Sequence, residues 1–271
     1  MNAGAQRLTD AIRAANARER PALLAYFTAG FPDRASFARL LAAIAGAADV
    51  VEIGVPFSDP MADGVSIQRA SRVALAGGAS LAWILDEICA LARDPPRKSG
   101  FSRDPIGPEG PPAVLMSYLN PLLAFGIERL AARAAECGVS GFIVPDLPLE
   151  ESAQVSDVLE RVGLALVQLV SPLTPDARLR AICAASRGFV YAVTTTGTTG
   201  RENALPRELP AYLARVRAAS ALPVCAGFGI RRAEQVRDLA PHADGVIVGS
   251  ALIEAIERGD DPERFLRSLV G

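Results

Sequence analysis

The sequence predicts an α/β fold, a single-domain (β/α)8 TIM barrel with an extra N-terminal helix, on three observations. Short apolar runs of four to eight residues alternate with amphipathic helical stretches eight times along the chain. Most of the runs are apolar at consecutive positions rather than at alternate ones, as suits parallel strands covered on both faces. Most connections are short, and 271 residues is an ordinary length for one such barrel, so residues 1–271 read as one domain. An open, doubly wound sheet is the alternative, but eight regular repeats at this length favour closure.

Taken in order, residues 5–18 form an amphipathic helix ahead of the barrel. Pro21–Thr28 (PALLAYFT) is the first strand, and Pro32-Asp33 opens a helix that runs to about Ala45. Asp49–Val55 is the second strand. It is followed by a turn-rich loop, an extra helix over Ser66–Ala76 broken by Gly77-Gly78, and a helix over Ser80–Arg93 with Ser80 as N-cap. Residues 94–112 (DPPRKSGFSRDPIGPEGPP) are rich in Pro, Gly and charge and predict a long, mobile surface loop. Ala113–Tyr118 is the third strand, with a helix over Ile127–Cys137. Gly141–Val144 is the fourth, followed by a helix over Leu149–Val162. Ala165–Val170 is the fifth, and its helix, Thr174–Ala185, carries Pro175 at the first helical position. Gly188–Thr194 is the sixth, leading into the loop TTGTTGREN and a helix over Leu209–Ala219. Pro223–Gly227 and Gly245–Val248 are the seventh and eighth, with helices from Arg231, from Gly249-Ser250 and over Pro262–Leu269.

Composition narrows the class of function. Half of the residues are hydrophobic, the formal net charge is −2, and no block of like charges occurs, so neither a nucleic acid nor an anionic membrane surface is indicated as partner. The polar N-terminus and the lack of a membrane-length apolar run predict a soluble, cytoplasmic protein. Cys89, Cys137, Cys183 and Cys225 lie far apart in apolar contexts with no CxxC, and read as small buried hydrophobes rather than disulfides or metal ligands.

The stretch Val50–Gly64, VVEIGVPFSDPMADG, carries the strongest chemical signal. Glu52 interrupts an apolar strand, and a carboxylate in such a place is costly unless it is paired or reactive. Asp63 follows in the next loop. Both fall at the C-terminal end of a strand, where barrel chemistry sits. The last two strands end in Gly227-Phe228-Gly229 and Gly249-Ser250, each opening a helix, an arrangement that favours a phosphate. Thr195–Gly200 (TTGTTG) is a small, hydroxyl-rich loop able to fold over a phosphate ester. Lys98, the single lysine, lies in the Pro- and Gly-rich loop, which argues against Schiff-base chemistry. His242, the single histidine, precedes the eighth strand at the other end of the barrel, which argues against a histidine-bound zinc. What remains is metal-free acid–base catalysis by carboxylates on a small phosphorylated substrate.

VEIGVPFSDPMADG resembles the signature of the tryptophan synthase alpha chain. The resemblance continues through YFTAGFPD (Tyr26–Asp33), LMSYLNP (Leu115–Pro121), VPDLPLEE (Val144–Glu151), GTTGREN (Gly197–Asn203), GFGI (Gly227–Ile230) and DGVIVGSA (Asp244–Ala251), in order over essentially the whole chain. It implies a lyase of tryptophan biosynthesis that cleaves indole-3-glycerol phosphate into indole and glyceraldehyde 3-phosphate. It implies no cofactor in this chain and a pyridoxal-phosphate beta subunit as partner in an α2β2 complex. By the same resemblance Glu52 is the general acid–base and Asp63 holds the indole N–H. Tyr191 is an active-site tyrosine, Tyr26 and Phe228 are aromatic walls of the indole pocket, Thr199 is the loop threonine that meets the aspartate, and Gly200, Gly229, Gly249 and Ser250 seat the phosphate. Two departures stand out: the 94–112 loop is longer than the family usually carries, and Thr198 stands where a branched apolar residue is common.

Overall fold

A computed structural model describes residues 2–93, 106–107, 109–194, 207–227 and 229–270. Eight parallel strands close into a barrel in sequence order: β1 (Ala22–Thr28), β2 (Val50–Gly54), β3 (Ala113–Met116), β4 (Gly141–Ile143), β5 (Ala165–Val170), β6 (Val190–Val193), β7 (Val224–Gly227) and β8 (Gly245–Val248), with β8 returning to β1. Nearly every strand residue is buried, because the barrel interior covers one face and a helix the other. That is why the strands are written in unbroken apolar runs.

The helices form the outer layer: α1 (Ala3–Asn16), α2 (Phe37–Ala45), α3 (Val65–Ala76), α4 (Leu81–Arg93), α5 (Leu119–Phe125), α6 (Ile127–Glu136), α7 (Ser152–Arg161), α8 (Asp176–Ala185), α9 (Leu209–Ala219), α10 (Ala233–Leu239), α11 (Ser250–Arg258) and α12 (Pro262–Val270). None of these helices alone is long and apolar enough to cross a membrane. Helix α5 was not expected. Its segment, LNPLLAF, is short and carries a proline, and it takes over Tyr118 as N-cap, so β3 ends at Met116 instead of Tyr118. Pro175 lies just before α8, at its N-cap.

Helix α1 plugs the barrel end from which the strands start. Leu8 and Ile12 are wholly buried, and Thr9 Oγ1 donates to the Gly188 carbonyl (2.6 Å), Asn2 Nδ2 to Leu164 (2.7 Å) and Asn16 Nδ2 to Asp244 (2.7 Å), each on a segment leading into a strand. Arg20 closes the same end with a two-pronged pair to Asp49 (2.6 and 2.8 Å).

One expectation is corrected. Cys89 at the end of α4 and Cys137 just past α6 form a disulfide, their Cα atoms 4.3 Å apart. Packing of α4 on α6 brings together residues 48 apart in sequence, which spacing alone conceals. Cys183 and Cys225 are free and buried, as expected. Of the 94–112 loop, residues 106–107 and 109–112 are described: Ile106 is buried, and Arg7 Nη2 donates to the carbonyls of Gly107 (2.6 Å) and Gly110 (3.3 Å). An arginine of α1 thus supplies the partner that the loop's own composition lacks. Lys98 lies outside the described residues.

Candidate active site

Glu52 sits in β2, beside Tyr26 of β1 and Val114 of β3 in the sheet register, with its side chain turned into the barrel. It is 1% exposed, and neither carboxyl oxygen has a hydrogen-bond partner among the described residues. An orphaned carboxyl buried in a barrel is a costly arrangement unless a ligand completes it. Burial, and then the nearby Asp63 charge, push its pKa up to about 8.

Asp63 stands in the loop between β2 and α3 and lines the same cavity. Its pKa is raised by burial to about 6, and the Tyr118 hydroxyl, donating toward the carboxylate, works in the other direction. Tyr118 also accepts the Ala62 N–H (2.8 Å), and Phe57 stacks on its ring (centroids 5.1 Å apart). One tyrosine from the end of β3 thus fixes the loop that bears Asp63.

Tyr26 on β1 and Tyr191 on β6 are buried and line the same cavity as Glu52, and burial raises both phenols well above their ordinary range. Each ring lies across a strand glycine. A Cβ on Gly54 would stand 2.3 Å from the Tyr26 hydroxyl, and one on Gly227 would stand 2.5 Å from Tyr191 Cε1. Glycine at these two inward positions is what makes room for two aromatic rings in the barrel mouth.

Gly229, Gly249 and Ser250 line the same cavity, and Gly249 lies against the Tyr26 ring, a Cβ there standing 3.3 Å from Cδ1. Gly229 has a positive φ of +85°, and the space where its Cβ would be is open. Ser250 is the first residue of α11, whose N-cap, Gly249, offers no side chain to the helix's leading N–H groups. Those N–H groups and the helix dipole suit an anion. Ile67, Met116, Ile230 and Ile247 supply the apolar wall, and Arg231 the cation. Beside this cavity a wider groove of about 730 Å³ opens between Met61-Ala62 and the ends of β4, β5 and β6.

The cavity therefore combines two carboxyl groups, two tyrosines, apolar side chains and a glycine–serine turn at a helix start that suits an anion. The family model of the tryptophan synthase alpha chain matches residues 12–270. The chain belongs to the tryptophan synthase alpha chain family. It is 42% identical over 265 residues to the alpha chain of Nitratidesulfovibrio vulgaris strain DP4, covering 97% of this chain and 98% of that one. It is 44% identical over 260 residues to that of Solidesulfovibrio magneticus, with 96% of each covered. Among solved structures, a chain of Mycobacterium tuberculosis tryptophan synthase superposes with a TM-score of 0.85 at 36% identity, covering 97% of this chain and 96% of that one.

Of the ten positions singled out in this alpha chain, seven line one cavity: Glu52, Asp63, Tyr26, Tyr191, Gly229, Gly249 and Ser250. Thr199, Gly200 and Phe228, like the departure at Thr198, lie outside the described residues. Sequence reasoning passed over Tyr118 and Arg231. Both stand in or directly after quoted motifs, LMSYLNP and GFGI, but only the fold shows which carboxylate each one faces.

Proposed function

We propose that Glu52 and Asp63 of this alpha chain carry out the retro-aldol cleavage of indole-3-glycerol phosphate to indole and glyceraldehyde 3-phosphate. The observation that carries this reading is the Glu52 carboxyl, buried, without a partner, and held in its protonated form to about pH 8. A carboxylic acid kept neutral near pH 7 can both give a proton and, once ionised, take one back.

The reaction needs two proton transfers at neighbouring atoms. Glu52 gives its proton to C3 of the indole, and positive charge develops on the ring nitrogen. Asp63, largely ionised above about pH 6, accepts the indole N–H and stabilises that charge. The Glu52 carboxylate then takes the proton from the hydroxyl of the side-chain carbon attached to C3. The bond from that carbon to C3 breaks, its electron pair returns to the ring and restores indole, and the carbon becomes the aldehyde of glyceraldehyde 3-phosphate. Glu52 ends protonated, as it began. Tyr26 walls the indole, Tyr191 completes the lining, and Gly229, Gly249 and Ser250 seat the phosphate in the same cavity. Phe228, Thr199 and Gly200 complete the pocket in this reading.

We take the chain as one domain that works in the cytoplasm and needs no cofactor for this step, since side-chain carboxyl groups supply both proton transfers. Its partner is the beta subunit of tryptophan synthase, the pyridoxal-phosphate chain that consumes the indole, in an α2β2 assembly. The test is Glu52→Gln. Cleavage falls by roughly 10³-fold or more, while glycerol 3-phosphate still binds, because only the proton transfer is lost. A variant that keeps substantial activity removes Glu52 from this role.

A further inference from the structure

The cavity has one feature that the cleavage chemistry does not use. Arg231, in the segment between β7 and α10, is the one cationic side chain lining it among the described residues; it follows Gly229 by two residues and is bonded to Glu254, one turn beyond Ser250. Its position is tightly fixed. Nη1 and Nη2 donate to Glu254 of α11 (2.6 and 2.9 Å), and its backbone N–H donates to Gln235 Oε1 (2.8 Å). Glu254 lies one turn beyond Ser250, and its Oε1 also accepts the hydroxyl of Ser66 (2.7 Å), in the first turn of α3 and three residues after Asp63. The two charged side chains are only 21% and 26% exposed, so solvent screens them less than a surface pair. Arg231 draws the Glu254 carboxyl below its usual range, so Glu254 stays ionised and the guanidinium stays held.

A phosphate ester entering this cavity shares it with two carboxyl groups, Glu52 and Asp63. Backbone N–H groups and the start of α11 supply only about half a positive charge. A dianion beside two acids is better held where a guanidinium lines the same cavity, even with part of its charge offset by the paired Glu254 carboxylate. We propose that Arg231, held by Glu254, is the specificity-determining residue that favours the phosphate ester over its unphosphorylated counterpart. This rests on reading Gly229, Gly249 and Ser250 as the phosphate seat. The competing account is that the ion pair only ties α3, α11 and the β7–α10 segment together.

Affinity for glycerol 3-phosphate and for indole, each measured by inhibition of cleavage and by calorimetry, separates the two, with thermal unfolding recorded for every variant. Arg231→Gln weakens glycerol 3-phosphate about tenfold, and raises KM for indole-3-glycerol phosphate to match, while indole affinity stays within about twofold. Arg231→Lys recovers only part of the loss, because an ammonium cannot keep the two-pronged pair. Glu254→Gln keeps one acceptor oxygen for Arg231, whose backbone N–H stays bonded to Gln235, and removes the anion beside it, so glycerol 3-phosphate binds about twofold tighter or better. This second variant decides the matter if Arg231→Gln does not fold. Equal losses for indole and glycerol 3-phosphate, an unchanged glycerol 3-phosphate affinity in Arg231→Gln, or weaker binding in Glu254→Gln would each overturn the assignment. If the wild-type chain binds no glycerol 3-phosphate at all, the phosphate reading falls first and this proposal with it.

Discussion

At the scale of single residues, the pair Glu52 and Asp63 sets the pH behaviour. In the proposed mechanism cleavage requires Asp63 ionised and Glu52 protonated in the free enzyme. Asp63 gives up its proton near pH 6 and Glu52 near pH 8. The kcat/KM profile for indole-3-glycerol phosphate therefore rises to about pH 6, holds, and falls above about pH 8. Asp63→Asn lowers the rate severely, and its residual profile loses the acid limb. Asp63 also raises Glu52 by like-charge repulsion, so removing it moves the alkaline limb to lower pH, not higher. An unmoved alkaline limb would show that the two groups do not interact. Both residues were legible in the sequence, since a carboxylate in an apolar strand and another in the following turn-rich loop are local features. Tyr118 and Arg231 were not, because their meaning depends on which carboxylate the fold brings to them. A tyrosine at a strand end and an arginine after a glycine turn are ordinary until Asp63 and Glu254 are seen beside them.

At the scale of elements, two glycines show how tightly strands and helices constrain the site. Gly227 in β7 leaves room for the Tyr191 ring, so Gly227→Ala drives a methyl group into it. The expected cost is about 1–3 kcal/mol of stability and a lower kcat/KM. Replacing Tyr191 by Leu in the same chain restores much of the stability but not the activity. Strict additivity of the two stability changes would mean that the contact does not matter. Gly4 in α1 lies so close to the β4 end of the barrel that an added Cβ would stand 2.1 Å from the Ser140 carbonyl oxygen. Gly4→Ala has to lift the plugging helix, lowering the unfolding temperature by several degrees while leaving indole release per folded molecule unchanged, since α1 lies at the end opposite the site. Loss of activity without loss of stability would contradict that separation. The eight strands were readable because burial on both faces writes them as apolar runs. Helix α5, the Cys89–Cys137 disulfide and the Arg7 hold on Gly107 and Gly110 were not, because each depends on contacts between segments far apart in the chain or on a cap supplied by a strand residue.

At the scale of the whole molecule, the barrel puts all its chemistry at one end. The carboxyl groups, the tyrosines and the proposed phosphate seat come from β1, β2, β6 and the segments after β2, β7 and β8, so this cavity exists only when the sheet is closed. Closure was legible from the count and order of the repeats; which inward side chains meet was not, because that depends on the stagger of the strands. Indole made at this end is used by the beta subunit, so cleavage and partner binding are coupled in this account. The most direct measurement is indole release from indole-3-glycerol phosphate by the wild-type chain and by Glu52→Gln, each with and without a beta subunit. The account predicts slow release by the wild-type chain alone, a large increase when the beta subunit is added, and almost none from Glu52→Gln in either condition. Substantial release by Glu52→Gln, or no release by the wild-type chain in the presence of the beta subunit, would contradict it.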